Sequence, residues 1–125
     1  MKKISLQHEL TQIHEHWMPR VVAELNGQHV RMAKIKGEFD WHHHDNEDEL
    51  FLVLNGRMRL EFRDHVVELE QGEMAVVPKG VEHRPVAADE CHIMLFEPAS
   101  TINTGNVVNE QTITQYSLNN DTSPE

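Results

Sequence analysis

The sequence predicts an all-β domain, an antiparallel sandwich or barrel, with a short helix at its start. From Val21 onward, brief runs of β-branched and long apolar residues recur. Turn signals separate them, and no long helical pattern intervenes. A chain of 125 residues is most economically one domain with a single hydrophobic core.

Taken in order, the first element is helical. Leu6, Leu10, Ile13 and Trp17 recur at spacings of four, three and four, one face of a helix that Ser5 caps and Pro19 ends. Residues 1–20 are therefore expected as a helical segment lying on the body. The strand candidates are VVAEL, HVRMAKIK, ELFLVL, RMRLEF, HVVELE, EMAVVP and CHIMLFEP. Turn signals between them fall at Asn26-Gly27, Gly37, Asn55-Gly56, Arg63-Asp64, Gln71-Gly72 and Lys79-Gly80. Residues 21–118 make up the barrel. Within them STINTGNVVNEQTITQYSL is expected to wrap the body and add one short strand, and residues 119–125 are expected to be poorly ordered.

Composition removes several function classes. With 21 acidic against 11 basic side chains the formal charge is −10, which repels nucleic acid and anionic membranes. No apolar run approaches the roughly 20 residues that span a bilayer. The opening MKKISLQHEL lacks the apolar stretch of a secretory signal, so the expected location is the cytoplasm. Cys91 is the only cysteine, which excludes an internal disulfide and a cysteine-pair zinc site. Histidine, at 10 residues, is the unusual component.

Asn55-Gly56 is a strong hairpin signal. A two-residue loop there pairs Val53 with Met58, Phe51 with Leu60 and Glu49 with Phe62. Alternation then puts Glu49, Phe51, Val53, Met58, Leu60 and Phe62 on one face. That face is apolar with a carboxylate at its rim. The opposite face carries Leu50, Leu52 and Leu54 beside Arg57, Arg59 and Glu61, and the apolar part of it predicts a homodimer.

A lone buried carboxylate takes up a proton or finds a cation. Just upstream, in WHHHDNED, His42 and His44 are two apart in an extended segment, so their imidazoles point one way and His43 points another. Two imidazoles and a carboxylate suit a first-row transition metal. The plainer alternative is an acidic, solvated loop with incidental histidines. A metallo-hydrolase would need aspartate then histidine where this chain has Asn46 and Glu47.

Downstream, GEMAVVPKGVEH presents Gly72, Pro78, Gly80 and His83. Together with Gly37, His42, His44, Glu49 and Gly56 this resembles the two motifs of the cupin superfamily, covering Gly37 to about Ala87. The chain departs from the pattern in a four-residue gap between Gly37 and His42, and in having Ala87 where many members have asparagine. The resemblance implies a jelly-roll barrel, a double-stranded β-helix, with one metal ion held by His42, His44, Glu49 and His83. Within the superfamily the chain resembles small single-domain proteins often labelled isomerase-like without an established reaction. Iron, manganese, nickel, cobalt, copper and zinc all accept such ligands.

Two functional classes follow. One is a metal-dependent oxygenase, isomerase or lyase acting on a small, fairly apolar or aromatic molecule in the cavity. The other is a non-catalytic binding or sensing module using the same pocket. His92 alternates with Met94 and Phe96 and would serve proton transfer if that face were inward, with Cys91 then outward. Met32, Met58, Met74 and Met94 are candidates for a soft cavity lining. One of Asp45, Glu47 and Asp48 could orient a ligand imidazole.

Overall fold

The computed structural model describes residues 1–116. One helix, α1 (Leu6–Thr11), precedes seven strands: β1 (Arg20–Leu25), β2 (Gln28–Glu38), β3 (Glu49–Asn55), β4 (Arg57–Phe62), β5 (Val66–Glu70), β6 (Met74–Val77) and β7 (His83–Pro98). β7, at 16 residues, is the spine. β2 pairs along one side of it, from Gln28 opposite Pro98 to Glu38 opposite Val86. β3 and β4 share its other side, β3 against residues 92–96 and β4 against residues 83–86. β1 extends β2, β6 extends β3 and β5 extends β4, all antiparallel. This is the jelly-roll arrangement, with ladders that do not close into a full ring.

The expected hairpin at Asn55-Gly56 is not formed. Among the described residues no ladder joins β3 to β4, and both hydrogen-bond to β7 instead. The pair is a corner in one continuous course along the spine. Gly56 takes φ 93°, and a Cβ there would stand 3.2 Å from the Glu90 carbonyl oxygen and 3.3 Å from the Cys91 Cα, an approach that glycine permits. The corner shifts the alternation by one residue, as a hairpin would have done. Glu49, Phe51, Val53, Met58 and Leu60 are therefore buried as expected.

The core gathers Ala33 and Ile35 of β2, Phe51 and Val53 of β3, Met58 and Leu60 of β4, and Cys91, Ile93 and Leu95 of β7. Inward alternation on β7 thus belongs to Cys91, Ile93, Leu95 and Glu97. It sends His92, Met94 and Phe96 outward, so His92 does not face the cavity and Cys91 does not point out.

The helix is shorter than its periodicity implied. Ser5 does cap it, its hydroxyl accepting from the His8 N–H at 3.2 Å, but the helix ends at Thr11. Ile13 and Leu10 still pack on Val22 and Met32 outside the main core. Beyond them the backbone pairs with β2: His16 bridges to Lys34, and the Trp17 N–H donates to the Lys34 carbonyl at 2.9 Å. Pairing with a strand edge outcompetes a weak helical preference in so short a segment.

After Pro98 the described chain contains no strand, contrary to expectation. Residues 99–116 cross the body through turns, with Thr101 and Thr104 buried. Their anchor is the loop carrying the histidines. The Asn106 N–H donates to the His43 carbonyl at 3.0 Å, and its side-chain oxygen accepts from the His43 N–H at 2.8 Å. A Cβ on Gly105 would collide with that carbonyl. The disorder expected for residues 119–125 lies outside the described residues.

Candidate metal centre

Two distant segments are stitched together at the site. The His42 N–H donates to the His83 carbonyl at 3.0 Å and the His83 N–H returns a bond to the His42 carbonyl at 2.9 Å. The Gly80 N–H donates to the His44 carbonyl at 2.7 Å, so the turn before β7 is fastened to the histidine loop. Glu49 opens β3 beside them.

His42, His44, Glu49 and His83 are all buried, and one ligand atom from each lies within 4.8 Å of the others. The Glu49 Oε1 is 3.3 Å from His44 Nε2 and 3.4 Å from His83 Nε2. These three atoms are buried and have no hydrogen-bond partner among the described residues. Buried polar atoms are ordinarily paired, so their convergence on one point marks a place for a cation. The tautomers agree. His42 Nδ1 donates to the Asp40 carbonyl at 2.8 Å and His83 Nδ1 to the Val81 carbonyl at 2.9 Å, which leaves each Nε2 lone pair aimed at the cluster. His43 points away, its Nε2 3.0 Å from Asp45.

Electrostatics prepares the donors. Burial, and then the neighbouring His83, lowers the His42 pKa to about 4, so its imidazole is neutral at physiological pH. Burial works to raise Glu49, but the adjoining Glu97 carboxyl and the His44 and His83 imidazoles outweigh it and hold Glu49 well below the usual carboxylate range.

The acidic loop does not orient the ligand imidazoles. Asp45 meets His43, Glu47 accepts from the Ser100 hydroxyl, and Asp48 accepts from the Lys79 N–H. Backbone carbonyls take that role. His92 is bound to Glu90 at 2.9 Å on the outer surface.

The cluster opens on a cavity of about 40 Å³ at His42 and Glu49, walled by Trp17, Phe39, Phe51 and Leu95. The methionines are elsewhere: Met32 and Met58 pack in the two apolar clusters, and Met74 is exposed.

One cavity-facing group had no role in the sequence-based expectation. Glu97, 2% exposed, reaches the cavity beside Glu49. The buried Arg31 holds it, Nη1 donating to Glu97 Oε1 at 2.9 Å and to the Thr101 carbonyl at 2.9 Å. Arg31 also donates to His29 Nδ1 at 3.2 Å and lies 3.7 Å from the Tyr116 ring centroid. Burial and the adjoining Glu49 charge push Glu97 well above the carboxylate range, offset only in part by Arg31. The inward parity of Ile93 and Leu95 was the available signal.

The Cupin domain family model matches residues 28–97. The chain belongs to the cupin family. Among solved cupins, a cupin-2 domain containing protein from Shewanella frigidimarina NCIMB 400 is 45% identical with a TM-score of 0.75, over 76% of this chain and 93% of that one. Protein NMB1881 from Neisseria meningitidis is 34% identical with a TM-score of 0.72, over 78% and 99%. The uncharacterized protein YdbB of Bacillus subtilis (strain 168) is 42% identical over 64 residues, which span 50% of this chain and 57% of that relative. As in cupins generally, the four buried side chains could hold a metal ion. The family match begins after Trp17, so the N-terminal arm lies outside it.

Proposed function

We propose that this cupin is a metal-dependent enzyme, an oxygenase, isomerase or lyase, acting on a small organic molecule in the barrel cavity. The ligands of its single divalent transition metal ion are His42, His44, Glu49 and His83. The observation that carries the reading is the set of buried donor atoms, His44 Nε2, Glu49 Oε1 and His83 Nε2, converging without partners. They fit such an ion: three neutral imidazoles and one carboxylate leave it net positive charge and about two open positions in an octahedral site.

Bound there, the ion supplies Lewis acidity toward an oxygen atom of the substrate. The chain's own residues do the rest. Asp40 and Val81 carbonyls fix two ligand rings, Phe39 and Phe51 keep water from the wall, and Glu97 presents a carboxyl beside Glu49. Metal analysis of the purified protein, then oxygen uptake with small dicarbonyl compounds and with catechols, tests the reading. Bound iron with substrate-dependent oxygen consumption supports an oxygenase. Tight ligand binding without turnover under every metal turns the site into a sensing module.

The homodimer is proposed on the outer face of the sheet. Leu50 stands between Val76 and Phe96, and Leu52 between Met74 and Met94. Met74, Val76 and Phe96 are exposed there, while Leu54 is covered by the N-terminal segment. Among the described residues no helix is long and apolar enough to cross a membrane, and the cytoplasm is the proposed location.

A further inference from the structure

We infer that the indole of Trp17 determines the size of molecule that reaches the metal centre, admitting a compact oxygen donor of a few heavy atoms and shutting out a ring. This rests on the metal-centre reading for what the ligand meets, but the seat of the indole is observed independently of it.

Trp17 is held in place by several bonds. Its N–H donates to the Lys34 carbonyl and its Nε1 to the Lys36 carbonyl, both at 2.9 Å, fastening it to β2 at two points. The ring stacks on Phe39 with centroids 4.8 Å apart, and Phe39 meets the His42 ring edge-on at 5.6 Å. One aromatic contact therefore separates the indole from a ligand imidazole. The backbone at Trp17 takes φ 63°, a conformation a bulky residue adopts only where its surroundings hold it there. The residue before it supplies part of that hold. His16 Nε2 lies 2.8 Å from one oxygen of Glu90, whose other oxygen is 2.9 Å from His92 Nε2.

The consequence is steric. The cavity beside His42 and Glu49 measures about 40 Å³ with the indole forming one wall. An apolar cavity that takes up benzene is on the order of 150 Å³, so a ring does not fit while Trp17 is seated. The polar residues lining it are His42, Glu49, Glu97 and Asn103. Short aliphatic oxygen donors fit that space, and the catechols in the assay above do not.

Two measurements on Trp17→Gly decide the matter, one with metal and one without. Glycine suits the positive φ and removes the ring. With cobalt(II)-loaded protein, the visible absorption of the metal follows the binding of azide and of 4-nitrocatechol. Azide should bind wild type and variant within threefold of each other, and 4-nitrocatechol at least tenfold more tightly to the variant. In metal-free protein, free indole should raise the melting temperature of Trp17→Gly and leave that of wild type unchanged. Trp17→Phe, which keeps an aromatic wall, should show the same order at smaller amplitude and covers a failure of the glycine variant to fold. Wild type binding 4-nitrocatechol as tightly as the variants, or indole raising both melting temperatures equally, overturns the inference. Indole selective for the variant in a protein that binds no cobalt upholds the role of Trp17 and defeats the metal-centre reading instead.

Discussion

Two buried polar clusters lie side by side in this molecule and are built on opposite terms. Around Arg31 the charge is met: Glu97, the Thr101 and Ala99 carbonyls and His29 accept its hydrogen bonds, and Tyr116 covers its face. Around Glu49 the donors converge, and three of their buried atoms have no hydrogen-bond partner among the described residues. The guanidinium of the first cluster is thus satisfied by protein groups, and the atoms left over there are Glu97 Oε2, on the side of the cavity, and the Thr101 hydroxyl. The second brings together donors that could hold a cation, which is what distinguishes a candidate binding site from a structural network.

The contrast breaks most visibly at Arg31. Arg31→Met strips buried carbonyls and the Glu97 carboxyl of their donor, and chemical denaturation should show a loss of about 3–5 kcal/mol. An unchanged midpoint would mean that the network does not stabilise the fold.

Acid comes next. The folded-state pKa of His42 is about 4 against an ordinary 6.5, so the unfolded chain binds the proton first. Stability of the metal-free protein is therefore full above pH 6.5 and falls as pH drops toward 4. The loss from this group amounts to about 3 kcal/mol. Denaturation midpoints across that interval check it, and His42→Ala should flatten the slope.

His83→Ala sharpens the other half of the comparison. It should weaken metal binding by at least about 100-fold, a loss of about 2.7 kcal/mol in calorimetry. The smallest effect is expected at His92, on the outer surface with Glu90. His92→Ala should leave metal affinity unchanged and alter stability by no more than about 0.5 kcal/mol.

These expectations also mark what the sequence could disclose. The cluster that could hold a metal was legible because its residues sit in local patterns: a His-x-His pair, a strand-opening glutamate, and a glycine-proline turn ahead of His83. The inward set of β3 and β4 was legible for a different reason than supposed. A corner at Gly56 and a hairpin shift the alternation equally, so a wrong pairing yields the right faces. The Arg31–Glu97 pair was not legible, since its members are 66 residues apart and the β7 parity that would place Glu97 inward was itself unsettled. Parity on β7 was ambiguous from CHIMLFEP alone, where either alternate set is mostly apolar. The packing of Cys91, Ile93 and Leu95 against β3 decides it. Trp17 fell on a helical period that the chain abandons after Thr11 in favour of pairing with β2.

The account rests on the partnerless donors at Glu49, and calorimetric titration of the chelator-stripped protein with cobalt(II) or nickel(II) tests it most directly. One ion should bind per chain, binding should disappear in the His42→Ala/His83→Ala double variant, and the melting temperature of wild type should rise with ion concentration. Absence of saturable binding, or equal binding by the double variant, would contradict it.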